Sequence, residues 1–425
     1  MKFLLLSIGT RGDMEPLLAI GSILKTSGHN VRCVMPTQFE DLVADAELEF
    51  RPLDKAFLEL LETSAGKAIM GQKGGWWSRI RQYISLVRQS IKLQNQLITE
   101  QRNYLIDYQP DRVVYHPKAL YGRMFGMSHP ERAFTISPIA NWLHPVEAYS
   151  HVAINKNLGR RGNLWTYRAI NWVTARVTAR MGKTYREDLG KKPFNGRAVY
   201  KHMRDHEQVF YMVSRSLFPR PQNWPERAKV MGYLERVKTN NWSPSQKLIQ
   251  FLDVHRGQKI AFFTFGSMVN SDPVAKTNAI IEACTKLAVP AILNTFSGGL
   301  IVPAECPDHI FVVDSIPYDW IFPKVYAVIH HGGAGTTHTT LKHACASLII
   351  PHIIDQFFWN KRCADLGVGP LGIPVKRLNE ETLIPLLQDL LNNAAYKTSA
   401  SRVAEEMKQE GNVGRKMVEI LTRPL

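Results

Sequence analysis

The sequence predicts an α/β protein of two doubly wound, parallel-sheet domains facing each other across a central cleft. Three observations carry that prediction. The chain has 425 residues, more than one hydrophobic core usually serves. Each half repeats an alternation of short apolar runs and longer amphipathic segments, the pattern of parallel strands joined by crossover helices. Between the halves lies a proline cluster, SLFPRPQNWPER, with Pro219, Pro221 and Pro225, which reads as a stiff, extended linker. The boundary is expected near Arg227, giving domains 1–227 and 228–425, with the last helix packing back on the first domain.

The first half opens with KFLLLSIGT, a continuous apolar run typical of a strand buried on both faces. It briefly resembles a signal peptide. Its apolar stretch is short, however, and Gly9, Arg11 and Asp13 follow where a small-residue cleavage site would stand. MEPLLAIGSILKTSG has helical spacing and ends at Gly28. HNVRCVMP then supplies a second strand, completing a right-handed β-α-β unit. DRVVYHP, AFTISP and QVFYMVS read as further strands. In the second half KIAFFTFGS, AILNTF, IFVVDSI, YAVIH and SLIIPHI read as strands, and NAIIEACTKLA, LIPLLQDLLNNAA and SRVAEEMKQEG as helices.

Composition excludes several classes. With 45% hydrophobic and 21% charged residues the chain is ordinary globular protein. No apolar run reaches the roughly 18 residues of a membrane span. The cysteines, Cys33, Cys284, Cys306, Cys345 and Cys363, are odd in number and scattered. That argues against a disulfide framework or a structural zinc site and for a reducing cytoplasm. The net charge of +16 suits nucleic acid, an anionic membrane surface or an anionic substrate. Between His151 and Lys192 stand ten Lys/Arg against two acids, a net of +8 and half the total excess.

Two basic regions have amphipathic spacing. In WWSRIRQYISLVRQSIKL, Trp76, Ile80, Ile84, Val87 and Ile91 form one stripe, with Arg79, Arg81, Arg88 and Lys92 off it. NLWTYRAINWVTARVTARMGK adds Trp165 and Trp172. Such a helix either docks on its own domain with a solvated basic face or lies on an anionic bilayer.

Chemistry concentrates where strands end. HHGGAGTT stands between the strand-like YAVIH and the helix-like TTHTTLKHACA. Helix N-termini carry unsatisfied N–H donors and partial positive charge. Gly332, Gly333 and Gly335 can bring main-chain N–H groups to a diphosphate, with Thr336, Thr337 and His331 adding side-chain donors. A tight strand–helix turn without any ligand uses glycine too. A metal site is not expected, because His338 and His343 are five apart and do not share a helix face, and no acid stands at ligand spacing. Asp355 and Gln356 follow the next apolar strand; together they could hold neighbouring hydroxyls, or form a polar loop with a capping Asp. After the first strand, SIGTRGDMEP places Gly9, Thr10, Arg11, Gly12 and Asp13 at the cleft. Thr10 and Asp13 have capping-box spacing, so Asp13 could serve only as a cap.

The run IPYDWIFPKVYAVIHHGGAGTT through IIPHIIDQFFWNKRCADLGVGP resembles the donor-binding signature of inverting, nucleotide-sugar-dependent glycosyltransferases with two Rossmann-like domains, the GT-B type. With GTRGD, FPRPQNWP and FTFGSM, it is most similar to sterol 3-beta-glucosyltransferases and vancomycin-group glycosyltransferases. The resemblance implies that His331 contacts the donor diphosphate and that Gly335 and Thr336 hold its oxygens, with Ser267 touching it from the adjacent loop. It implies that Asp355 and Gln356 hold the sugar and that the base lies against the backbone near Val313 and Ile316. Asp13 is then the base that takes the acceptor's proton, and His116, at the same sheet edge, assists it or lines the acceptor pocket.

The expected function is transfer of a hexose, glucose, from a UDP-sugar co-substrate to a hydroxyl of a lipophilic acceptor such as a sterol. Inversion is expected, with no metal, cofactor or nucleic acid, in the cytoplasm or peripherally on the inner membrane face. A nicotinamide or flavin oxidoreductase would need GxGxxG after the first strand, where SIGTRGD has only GxxG. A non-enzymatic module binding membrane or nucleic acid explains the basic stretch but not Asp355 and Gln356 or the paired domains. A nucleotide-sugar hydrolase or epimerase would be separated by product analysis with and without acceptor.

Overall fold

The computed structural model describes residues 1–54, 93–154, 156–190, 194–236, 242–303 and 305–424. The expected stripe from Trp76 to Ile91 lies outside them.

The first sheet has seven strands: β1 (Lys2–Leu6), β2 (Asn30–Pro36), β3 (Glu49–Leu53), β4 (Arg112–Tyr115), β5 (Ala133–Ser137), β6 (Val209–Tyr211) and β7 (Ala228–Val230). The second has five: β8 (Ala261–Thr264), β9 (Ala291–Asn294), β10 (Ile310–Val313), β11 (Ala327–His330) and β12 (Ala346–Ile349). Every pairing is parallel. The orders are β3-β2-β1-β4-β5-β6-β7 and β10-β9-β8-β11-β12. The central strands are apolar throughout because helices cover both faces; AFFT of β8 and AVIH of β11 are wholly buried.

These orders decide where a ligand can sit. Each sheet reverses direction once, between β1 and β4 and between β8 and β11. There the following segments leave to opposite faces and a crevice opens at the strands' carboxyl ends. Leu6 pairs with Tyr115, so the loops after β1 and β4 emerge side by side. Thr264 pairs with His330, which does the same for β8 and β11.

The proline cluster is not an exposed linker. Trp224 and Phe218 are buried, and the Trp224 ring lies 4.6 Å from that of Tyr211. Its Nε1–H donates to the Pro145 carbonyl at 2.8 Å. Arg220 donates to the carbonyls of Trp224 at 2.6 Å and Ala228 at 2.7 Å. Burying two large aromatic rings outweighs keeping the segment as a spacer. The first sheet therefore runs on to Val230, past the boundary expected near Arg227.

The lobes are joined by more than the crossing chain. The last helix, Val413–Leu421, places Val413, Met417 and Leu421 in one core with Phe3, Leu5, Met14 and Leu17 of the first domain. His338 accepts the Ser214 N–H at Nε2 (3.0 Å) and donates from Nδ1 to the Ala334 carbonyl (2.6 Å). Its ring stacks on Tyr233 at 4.2 Å. The helix that follows the glycine junction is thus anchored on the first domain.

The basic helix Gly159–Gly182 docks through Asn163, Thr166, Tyr167, Ala175 and Thr178. Its tryptophans face out: Trp165 is 65% exposed and Trp172 49%, with the Arg176 guanidinium 3.8 Å from the Trp172 ring. Among the described residues no helix is long and apolar enough to cross a membrane.

Candidate active site

The first crevice assembles around Asp13. Its Oδ2 accepts the Thr10 N–H at 2.7 Å, so it does cap the helix Arg11–Thr26. Oδ2 also meets Thr10 Oγ1 at 3.2 Å and the Lys118 ammonium at 2.9 Å. Oδ1 lies 3.1 Å from His116 Nε2. Capping and contacts with the loop after β4 therefore coexist on one carboxylate. Burial works to raise its pKa, but Lys118 and His116 outweigh burial and hold it well below the usual carboxylate range. Burial also holds His116 below its ordinary value against the pull of Asp13. Its Nδ1 takes the Lys118 backbone N–H at 3.4 Å, which leaves Nε2 as the protonated nitrogen facing Asp13. Gly9 is required here: at φ +136° a Cβ would stand 2.1 Å from Asp13 Oδ2 and 2.8 Å from Lys118 Nζ.

Beside this cluster opens a cavity of about 260 Å³. Leu97, Ile98, Leu120, Trp142, Leu143 and Val177 give it an apolar wall, and Lys118 also lines it. Trp142 packs edge-on against His116 at 5.4 Å.

The second crevice receives the glycine junction. His331 is buried, and its Nδ1 finds no hydrogen-bond partner among the described residues. The ring is wedged between two glycines. A Cβ at Gly333 would lie 2.4 Å from His331 Nε2, and one at Gly266 2.7 Å from Cε1. Burial, then His352, pushes the His331 pKa down to about 3, so it offers a neutral N–H. His330 is turned into the fold, with Nε2 on Ser347 Oγ at 2.9 Å and Nδ1 accepting the Gly332 N–H at 3.1 Å. Gly333 precedes the helix Ala334–Lys342, and Gly335 and Thr336 open its first turn. Gly335 and Ser267 are exposed, Thr336 and Gly333 partly so.

Asp355 and Gln356 divide their work. The Gln356 carbonyl oxygen accepts N–H groups of His352 (2.7 Å) and Ile353 (3.0 Å), and its amide meets Met268 Sδ at 3.2 Å. It ties its own loop, so its oxygen is spent within the fold. Asp355 stands at the N-cap of helix Gln356–Asp365 but does not cap it with its side chain. Burial, then the Asp13 carboxylate across the cleft, raises its pKa to about 7. Ile316 packs its side chain into the core. The Val313 carbonyl is taken by Thr295, from N at 2.9 Å and Oγ1 at 3.3 Å.

The Asp355 shift has a measurable consequence. Its proton is held to about pH 7 in the folded chain, against 3.8 for an ordinary aspartate. The folded form binds more protons across that window, so its contribution to stability is full below about pH 4 and is lost as pH rises through about 7. Asp355→Asn should gain melting temperature relative to the parent as pH rises through that range. Parallel profiles would contradict the shift.

Lys118 and the apolar cavity are not legible in the sequence. Lys118 follows the candidate His116 by two residues, and that proximity is the available signal.

Two family models match the chain: the glycosyltransferase family 28 N-terminal domain over residues 3–109 and the erythromycin biosynthesis protein CIII-like C-terminal domain over 292–420. Among solved structures, the calicheamicin glycosyltransferase CalG4 superposes with a TM-score of 0.70 at 16% identity, covering 99% of this chain and 97% of that one. The glycosyltransferase SnogD from Streptomyces nogalater gives 0.65 at 18% identity, covering 99% and 98%. The chain has the two-domain GT-B glycosyltransferase fold. It is 30% identical over 431 residues to a sterol 3-beta-glucosyltransferase of Debaryomyces hansenii, covering 97% of this chain and 26% of that protein. It is 29% identical over 433 residues to one of Arabidopsis thaliana, covering 97% and 64%. The chain thus spans between about a quarter and two thirds of the length of these relatives.

Proposed function

We propose that the protein is an inverting glycosyltransferase that moves a hexose, glucose, from a UDP-sugar to a hydroxyl of a sterol-like acceptor. One observation supports this reading: Asp13, at the first sheet's switch point, senses the charge of Asp355, which follows the last strand of the second sheet. The diphosphate binds the first turn of Ala334–Lys342, with donors from His331 Nδ1, Thr336 and Ser267. The base lies beside Val313 and Ile316, and Asp355 accepts hydrogen bonds from the sugar hydroxyls. The acceptor fills the apolar cavity with its hydroxyl at Asp13.

Asp13 takes the hydroxyl proton as that oxygen attacks the anomeric carbon from the face opposite the diphosphate. The bond to the diphosphate breaks, and the oxygen–carbon bond forms with inverted configuration. Oriented N–H groups stabilise the charge gained by the departing nucleotide, without a metal ion. The similarity to sterol 3-beta-glucosyltransferases and the apolar wall support a sterol-like acceptor. A panel of UDP- and dTDP-sugars against sterols and other lipophilic alcohols, read by mass, tests this. A UDP-glucose-dependent sterol adduct with inverted anomer is expected; nucleotide-sugar consumption that ignores every acceptor would contradict it.

The outward tryptophans of Gly159–Gly182 and its arginines support contact with an anionic membrane surface, the source of such an acceptor. Vesicles containing phosphatidylserine should retain the protein at low salt and lose it when both Trp165 and Trp172 become Ala. Equal retention by neutral vesicles would count against it.

A further inference from the structure

One oxygen of the carboxylate assigned as base, Oδ2, is fully engaged in the structure. Asp13 Oδ2 holds three donors: Thr10 N–H at 2.7 Å, Thr10 Oγ1 at 3.2 Å and Lys118 Nζ at 2.9 Å. Two of these belong to the helix cap. His116 is wholly buried, with Nε2 3.1 Å from Oδ1 but outside hydrogen-bond geometry, and it blocks the approach to that oxygen. The Lys118 ammonium is the exception. Its side chain is 32% exposed, lies 5.5 Å from the Trp142 ring centroid, and lines the apolar cavity. The ammonium itself is solvated again when it leaves, but Asp13 is only 7% exposed, so the pair opens only when another donor takes the ammonium's place on Oδ2.

We propose that Lys118 gates the base: its ammonium occupies Asp13 Oδ2 until an acceptor hydroxyl entering the cavity displaces it. The inference rests on the glycosyltransferase reading above. Its purpose follows from the alternative nucleophile. If Oδ2 were open before the acceptor arrived, water could give it a proton, attack the anomeric carbon and expel the nucleotide diphosphate, releasing free sugar. With Lys118 in place that water has no base. An acceptor in the cavity both excludes the water and presents the hydroxyl that takes Oδ2. Lys118 is therefore a positioning residue, acting through Asp13.

The charged groups facing Asp13 are His116 and Lys118 from the loop after β4 and Asp355 from the second domain; Arg11 and Glu15, on its own helix, pair with each other at 3.1 Å. Of these, Lys118 touches the carboxylate, lines the cavity and is partly exposed.

Lys118→Met and Lys118→Gln test the gate by the ratio of acceptor-free UDP-sugar hydrolysis to transfer. Either variant should raise that ratio by about tenfold or more, since a positioned base is worth roughly 10²–10⁴. Lys118→Arg should restore the parent ratio. The parent enzyme supplies a second test without mutation. The acid limb of kcat for saturating acceptor should lie at higher pH than that of kcat/KM, because the acceptor complex has lost the ammonium from Asp13. Unchanged ratios in both variants, or coincident limbs in a parent that transfers sugar, would overturn the gate and leave the function standing. A parent that transfers no sugar would instead overturn the reading beneath it.

Discussion

Asp13→Asn should lower kcat by about 10²–10⁴ while leaving donor affinity unchanged. The substitution is close to isosteric. The asparagine oxygen can still accept the Thr10 N–H that Asp13 Oδ2 holds at 2.7 Å, so the helix start keeps its cap. What disappears is the ability to accept a proton. The donor junction lies on the other domain and contains no atom of Asp13, so UDP binding is a built-in control. Steady-state kinetics with calorimetric UDP titration separates the two. A variant with full turnover would remove Asp13 from the chemistry and leave it as a cap.

His331→Ala should weaken donor binding by about 10- to 100-fold, the value of one hydrogen bond to a charged group. The mechanism is local. Its buried Nδ1 has no protein partner among the described residues, and Gly266 and Gly333 make room for the ring, since a Cβ at either would overlap it. Because burial holds the imidazole neutral, with a pKa of about 3, this contribution should not titrate between about pH 5 and 8. Donor titrations across that range check both statements. Undiminished affinity in the variant would take His331 out of the diphosphate site.

Much of this architecture was legible because each functional loop follows a strand that is almost wholly buried and mostly apolar. KFLLL is buried after Lys2 and AVIH is buried throughout, so glycine and charge just beyond them mark a strand's carboxyl end. The register that places His330 beside Thr264 could not be read, since pairing depends on sheet order rather than on local pattern. Two strands were missed for physical reasons. β3, EFRPL, is a polar edge strand that tolerates Pro52, and β7 is only three residues long. The proline cluster marks the end of the first domain to within a few residues, but the burial of Trp224 and Phe218 inside it was not legible. Within the site, Gln356 looked like a sugar ligand, but its oxygen holds the loop of His352 and Ile353. Lys118 was invisible as one of 53 basic residues, and only its 2.9 Å contact with Asp13 sets it apart.

The most direct measurement is a crystal structure with a non-transferable UDP-sugar analogue and a sterol bound together. The account predicts the diphosphate on the first turn of Ala334–Lys342 with His331 donating to it. It also predicts the sugar against Asp355 and the sterol hydroxyl between Asp13 and the anomeric carbon. A nucleotide seated in the first domain's crevice, or an Asp13 carboxylate remote from the sterol hydroxyl in the closed complex, would contradict it.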